Sequence, residues 1–131
     1  MSYYFKTVLK DKPFKDAIDE VTQALKKEGF GVLTEIDITQ TLKNKLDVDF
    51  KKYQILGACN PPSAYEALQK EEKIGLFLPC NVVVHENDKG HIEVAAVDPV
   101  ASMIAVENDA LTNVAQDIQQ KLKNVIDSLS S

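Results

Sequence analysis

The sequence predicts a single α+β domain, spanning residues 1–131, in which a mixed or antiparallel sheet of about five strands is covered by helices on one face. Three observations support this fold class. The chain has 131 residues, 44% hydrophobic and 27% charged, without an internal repeat, which is typical of one globular domain. Strand and helix patterns follow one another in the order β-α-β-α-β-α-β-β-α. Each helix has one apolar stripe to bury, and a hairpin near the end excludes a wholly parallel sheet.

The first half of the chain alternates between strand and helix patterns. Pro13 precedes a helical stripe of apolar residues, and Gly29 is a typical C-terminal stop for it. Asp37 and Gln40 have the spacing of a helix N-cap and the residue that reciprocates it. The predicted elements are a strand at 3–9, a helix from Phe14 to the stop at Gly29, a strand at 31–36, a short helix through 46 and a strand at 53–58.

The second half contains the hairpin and the longest helix. The helix near residue 63 has two possible starts, since Asn60 can cap it with Pro61 in the first turn, or Ser63 and Glu66 can form a capping box. Pro79 cannot donate to a sheet ladder, so the next strand begins after it. The predicted elements are a helix from 63 to about 70, a strand from 80 to 86, a turn at 87–90, a strand at 91–97, a helical turn opened by Asp98-Pro99, and a helix over 111–129 capped from Asn108 or Asp109.

The chain is acidic, with a net charge of −5 and a pI near 5.0. This charge repels nucleic-acid phosphates and anionic membrane surfaces, so we expect neither partner. Asp47 and Asp49 dilute the one basic patch, which we interpret as a solvated surface: Lys43, Lys45, Lys51 and Lys52.

The N-terminus predicts no export. It has no basic flank followed by an apolar stretch and no small-residue cleavage site. The longest apolar runs, such as 94–97, are far shorter than the roughly 20 residues needed to cross a bilayer. We therefore expect a cytoplasmic protein in which Cys59 and Cys80 are free thiols.

Several catalytic signatures are absent from the sequence. It has no glycine-rich phosphate loop, no Gly-x-Ser-x-Gly elbow, no His-Glu-x-x-His and no Cys-x-x-Cys. Polar residues at the predicted strand ends remain as the candidate site: Asp37, Cys59, Asn60, Cys80, Asn81 and Asp98. Both aspartates precede helix starts, and N-capping is the simpler interpretation of each.

Each cysteine lies beside an asparagine and a proline at a break in regular structure. Three interpretations are open. Both thiols can be inert, because cysteine is often buried as a small hydrophobe. Cys59 can be reactive if Asn60 caps the next helix, since the dipole and free amides at that N-terminus favour the thiolate and lower the pKa. The third interpretation is metal ligation, which needs partners beyond the two thiolates. Their spacing fits no known metal-binding motif, so no ligand set is assigned, and the candidate partners are His85, His91, Asp37 and Asp98.

Two further groups have structural interpretations. His85 and His91 flank the hairpin turn and are expected to be a solvated pair. The aromatic residues of the first third are expected to pack in the core, or to form an apolar surface shared by two copies if the first strand lies at a sheet edge: Tyr3, Tyr4, Phe5, Phe14 and Phe30.

Four segments resemble one known family over nearly the whole chain. They are GFGVLTEID at 29–37, ILGACNP at 55–61, LPCNVVV at 78–84, and Asp98-Pro99. The pattern is similar to that of the domain-of-unknown-function family DUF302. The resemblance implies a small α+β domain of bacteria and archaea that forms a homodimer. It implies no established reaction, ligand or cofactor, so the cofactor is unknown and enzyme activity is an open question.

Three functions compete. The first is a homodimeric binding module that holds a small molecule or ion near the strand ends, suggested by the convergent polar groups and by the lack of a nucleophile-base pair. The second is a thiol-dependent redox enzyme or sensor that uses Cys59 with Cys80 as its resolving partner. The third is a structural or protein-interaction domain.

Overall fold

The computed structural model of the protein describes residues 2–129. The strands are β1 (Tyr4–Leu9), β2 (Gly31–Asp37), β3 (Tyr53–Cys59), β4 (Cys80–Glu86) and β5 (Ile92–Val97). The helices are α1 (Phe14–Lys27), α2 (Ile38–Leu46), α3 (Pro61–Lys70), α4 (Pro99–Met103) and α5 (Thr112–Leu129). Short 3-10 helices occupy Glu72–Phe77, Ile104–Val106 and Asp109–Leu111. The predicted α+β class and element order are confirmed.

The five strands form one sheet in the order β1-β5-β4-β3-β2, and every neighbouring pair is antiparallel. The first and second strands are therefore the two edges. The β1 pairing is regular from Tyr4 to Leu9, whereas the β2 pairing is interrupted by a register shift between Val32 and Thr34. The two edges thus differ, one being regular and the other bulged.

Helices α1 and α5 cover one face of the sheet and bury their apolar stripes on it. Leu25, Leu122 and Val125 are fully buried there, against alternate residues of the central strands such as Val82 and Val94. Each such side chain stabilises the fold by about 1.5–3 kcal/mol. This larger cluster fixes the sheet to its two long helices.

A smaller hydrophobic cluster lies beside the larger one. Its buried members are Ala67, Ile74, Leu111 and Val114, with Leu78, Met103 and Val106 packed against them. These residues come from α3, the segments on either side of β4 and β5, and the start of α5. The domain therefore has two cores that meet along a seam, and the seam contains the candidate site.

The structure decides between the two predicted starts of α3. Asn60 is the N-cap, its side chain accepts from the Ser63 amide, and Pro61 and Pro62 fill the first turn. The expectation that all early aromatic residues pack in the core is wrong for two of them. Tyr3 is 69% exposed and Tyr4 is 37% exposed, whereas Phe30 is buried. Tyr4 is exposed because it occupies an outward position of edge strand β1, and Tyr3 precedes that strand.

Lys43, the first residue of the basic patch, supports the interpretation of this patch as a solvated surface. The Lys43 amine lies 3.0 Å from Asp47 and 3.4 Å from Asp49, and both carboxylates are exposed. Within residues 2–129, no helix is both long enough and apolar enough to cross a membrane.

Gly57 of β3 lies where the strand contacts both β2 and the segment before β4, and the space there leaves no room for a side chain. A Cβ at this position would overlap Thr34 Oγ1 on β2 and lie 2.7 Å from Pro79 Cγ, just before β4. The missing side chain lets the proline ring pack directly on the strand. Gly57 thus sets the distance between β3 and the entry to β4.

We expect Gly57→Ala to lower the free energy of unfolding by about 1–3 kcal/mol, because the added methyl group overpacks this contact. Chemical denaturation measures the change. Gly75→Ala is the matched control, since a Cβ there meets no atom within 4 Å and its effect should stay within about 0.5 kcal/mol. Equal effects of the two substitutions would show that the contact with Pro79 does not constrain the strand.

Candidate functional site

The two cysteines lie at adjoining ends of neighbouring strands. Cys59 is the last residue of β3 and Cys80 is the first residue of β4. In the ladder Ala58 pairs with Cys80, so Cys59 is one residue beyond the partner of Cys80. Both thiols are free and partly buried. Antiparallel pairing thus brings together two residues that the sequence separates by a helix and a loop.

Both cysteines line a cavity at the seam between the two hydrophobic clusters, which we call the cysteine cavity. Its volume is about 50 Å³. The larger cluster contributes Phe30, Ala58 and Ile118 to its walls, and the smaller one contributes Ile74, Leu111 and Val114. Among the described residues that line it, none carries a charged side chain or an imidazole.

The size of the cysteine cavity limits what it can hold. A single water needs roughly 10–15 Å³ measured in this way, and an engineered apolar cavity of about 150 Å³ admits benzene. A cavity of about 50 Å³ therefore accepts an ion or a group of a few atoms. A larger metabolite requires the two clusters to separate along the seam.

The cysteine cavity holds Cys80 in its protonated form. Burial, and secondarily the charge of Cys59, raises the pKa of the Cys80 thiol from 9.0 to about 11. At neutral pH this thiol is a poor nucleophile, because the thiolate is the reactive species. The charge of Cys59 contributes to this shift because the two residues lie at adjoining strand ends.

Asn60 has a structural role beside the site. It is 8% exposed, its Oδ1 accepts from the Ser63 amide at 3.3 Å, and its Nδ2 donates to the Glu28 carbonyl at 3.4 Å. Asn60 thereby joins the start of α3 to the end of α1. These bonds satisfy a buried polar group that would otherwise be costly.

The predicted source of thiolate stabilisation at Cys59 is weaker than expected. Pro61 and Pro62 have no amide hydrogen, and the Ser63 amide is bonded to Asn60. The Ala64 amide donates to the Asn60 carbonyl. The expectation of free amides at this N-terminus is therefore wrong, and only the helix dipole remains to favour negative charge at Cys59.

The two aspartates are N-caps, as predicted. Asp98 accepts from the Val100 amide at 2.9 Å and from Gln119 Nε2 at 3.1 Å, which ties α4 to α5. Asp37 accepts from the Gln40 amide at 2.9 Å, but the Gln40 side chain bonds to Asn44 instead of reciprocating. Asp37 ends the strand whose first residue, Gly31, pairs with Cys59, so Asp37 lies at the opposite end of the sheet from the cysteines.

Asn81 is exposed and points away from the cysteine cavity. It pairs with Gly57 and lines two openings outside that cavity. One is a recess of about 250 Å³ beside Pro79, bordered also by Cys80 and Met103. The other is a groove of about 320 Å³ on the far face of the sheet. Of the six candidate residues, the structure thus places only Cys59, Asn60 and Cys80 around the cysteine cavity.

The expectation of a solvated histidine pair is wrong for His85. Its Nε2 lies 2.9 Å from Glu93 Oε2, its side chain is only 15% exposed, and its ring lies 5.5 Å from that of Tyr53. His85 and Glu93 are directly opposite in the hairpin. The Asn87 amide bonds to the His91 carbonyl, so these two residues close the turn, and counting outward from the predicted turn at 87–90 would have paired His85 with Ile92 instead.

The sequence gives no indication that a methionine lines the cysteine cavity. Met103, at the end of α4, lines both the cavity and the recess beside Pro79. Its distance from both cysteines along the chain gave no signal of this proximity. Within residues 2–129, no group of three or more histidine, cysteine or acidic side chains is arranged to hold a metal.

The raised pKa of Cys80 predicts a loss of stability at high pH. The unfolded thiol loses its proton near pH 9.0, whereas the folded thiol keeps it to about pH 11. Between these values the folded state binds more protons, so its stability falls as the pH rises, by up to about 2–3 kcal/mol.

Denaturation of wild type and Cys80→Ala at several pH values between 8 and 11 measures this loss. We expect the difference between the two proteins to shrink or change sign as the pH rises. Cys59→Ala should keep most of the wild-type slope, because burial is the larger cause of the shift. Parallel curves for wild type and Cys80→Ala would contradict the assignment.

Comparisons with known proteins agree with this fold. The family model described as "Domain of unknown function DUF302" matches residues 5–129. A crystal structure of an uncharacterised conserved DUF302 protein from Bacillus stearothermophilus is 29% identical, with 97% of this chain and 98% of that chain covered and a TM-score of 0.89. No curated protein matches the chain. The match over nearly the whole sequence shows that the chain belongs to the DUF302 family.

Proposed function

We propose that this protein is a homodimeric module that binds a small molecule or ion in the cysteine cavity. The observation that carries the proposal is that both cysteines line one apolar space at the seam between the two clusters. Partly buried thiols beside a space of this kind offer a ligand both apolar contact and soft donor atoms. The acidic net charge of −5 and the free thiols fit a cytoplasmic role without a nucleic-acid partner.

Binding is favoured over catalysis by the chemistry of the cavity walls. The raised pKa keeps the Cys80 thiol protonated. Among the described lining residues there is no carboxylate, amine or imidazole that could act as its base. Acyl or phosphoryl transfer needs such a partner, whereas retention of a ligand does not.

A screen by thermal denaturation tests the binding proposal. A panel of metal ions and small metabolites is added to the reduced protein, and we expect at least one to raise the melting temperature by mass action. Ala64 lines the cavity, so Ala64→Val should remove the shift by filling the space. Ala105→Val, at an exposed position outside this lining, should retain it. No shift with any compound, or equal shifts in both variants, would overturn the proposed site.

The edges of the sheet support a dimer formed through β1. The bulge in β2 protects that edge, whereas β1 presents a regular edge of six residues. Tyr4 and Val8 of β1, and Tyr3 just before it, expose apolar surface. A second copy pairing there about a two-fold axis would extend the sheet and cover these side chains.

Sedimentation velocity measures the assembly state. We expect the mass obtained for wild type to be twice that of the 14.5 kDa chain. Val8→Glu should shift the protein toward monomer, because it places charge at the proposed interface. Leu33→Glu is the matched control, since Leu33 is 67% exposed beside the bulge of the other edge. A monomeric wild type would exclude the dimer, and dissociation by Leu33→Glu alone would move the interface to β2.

Reversible disulfide formation is a second candidate function, favoured by the closeness of Cys59 and Cys80. The two thiols would be oxidised to one disulfide while an oxidant such as glutathione disulfide takes up two electrons and two protons. The raised pKa of Cys80 weakens its role as the resolving thiolate at neutral pH. The pH series on the cysteine variants therefore bears on this candidate as well, because a lower pKa at Cys80 would strengthen it.

A further inference from the structure

Three residues with sulfur in their side chains line the cysteine cavity. Cys59 and Cys80 contribute thiols from neighbouring strand ends, and Met103 contributes a thioether from the end of α4. Met103 and Cys80 also share the recess beside Pro79, so these two side chains border two adjoining openings. The three residues come from three different elements, and only the folded chain brings them together.

The donor chemistry of this set is selective. Thiolate and thioether sulfurs prefer soft cations such as Cu(I), whereas magnesium and calcium require oxygen ligands. Among the described lining residues there is no carboxylate or imidazole that would suit a harder ion. The remaining polar lining groups are Asn60 and Ser63, and the Asn60 amide is already bonded on both sides.

We propose that Cys59 and Cys80 bind one Cu(I) ion in the cysteine cavity, with Met103 as a third ligand. This inference rests on the proposed binding function and names its ligand class, a soft monovalent metal ion. The volume of about 50 Å³ suits a single ion. The apolar walls offer water few hydrogen-bonding partners, which favours a soft, weakly hydrated ion over a strongly hydrated divalent one.

Charge and proton balance follow from the ligand set. Each thiol loses its proton to solvent as its sulfur–copper bond forms, and no electron is transferred. The resulting two thiolates and one Cu(I) carry a net charge of −1. The N-terminus of α3, which begins at Pro61, lies close to Cys59 in the chain, and its dipole stabilises that negative charge.

Each thiol that binds Cu(I) must release its proton, so binding should strengthen as the pH rises. Cys59 and Cys80 are the only titratable side chains among the described residues that line the cysteine cavity, and none besides Cys80 lines the recess beside Pro79.

Anaerobic titration of the reduced, metal-free protein with Cu(I) against a coloured chelator tests the proposal. We expect one copper per chain, with ultraviolet absorption from thiolate-to-copper charge transfer. Cys59→Ser and Cys80→Ser should each lower the affinity by at least about 100-fold, and Met103→Leu by about tenfold with unchanged stoichiometry. Ser63→Ala is the matched control, because it removes a lining oxygen without touching a sulfur, and its affinity should equal that of wild type.

Circular dichroism establishes that each variant is folded, and Cys59→Ala and Cys80→Ala replace any serine variant that is not. Retained copper binding in folded cysteine variants, one copper per two chains, or no competition with the chelator would each overturn the inference. If Cu(I) fails but another compound gives a thermal shift that Ala64→Val removes, the binding function stands and only the copper assignment is wrong. If neither copper nor any screened compound binds, both proposals fail.

Discussion

The antiparallel pairing of β3 with β4 is the constraint on which the rest of the structure depends. It positions Ala58 opposite Cys80 and Gly57 opposite Asn81, and it brings the Pro79 ring against a glycine that leaves room for it. A shift of one residue in this register would turn every side chain of one strand to the opposite face. The two thiols, the cavity and the buried face of the sheet therefore share a single geometric origin.

The division of the interior into two hydrophobic clusters explains why an unfilled space occurs at this place. The larger cluster is built by long elements, α1, α5 and the central strands, whose side chains interdigitate. The smaller cluster is assembled from short helices and turns, which have fewer side chains to adjust to each other. Asn60 and Asp98 form hydrogen bonds near the seam between the clusters. These bonds fix the positions of the two clusters relative to one another, while the apolar packing between them stays incomplete.

Local chemistry made much of the fold predictable. Pro79 set the start of β4, Asp37 and Asp98 marked helix starts, and Gly29 marked the end of α1. These features depend on neighbours within a few residues, so the sequence carries them directly. The strand order cannot be read from local sequence in this way. The pairing of β1 with β5 joins segments that are distant in the chain, and it depends on how the strands and helices pack together after collapse. For the same reason the sequence alone indicates neither that Cys59 and Cys80 meet nor that Met103 lines their cavity. The pairing of His85 with Glu93 depends instead on which residues close the hairpin turn.

The position of β1 has a consequence for the order of assembly. Leu9, near the beginning of the chain, pairs with Ile92 of β5, so the sheet has a high contact order and closes only after most of the chain is available. During synthesis, β2, β3 and β4 can pair before β5 has left the ribosome, while the first strand waits without a partner. The aromatic N-terminal strand is thus the last part of the sheet to be enclosed, and its insertion completes the larger core.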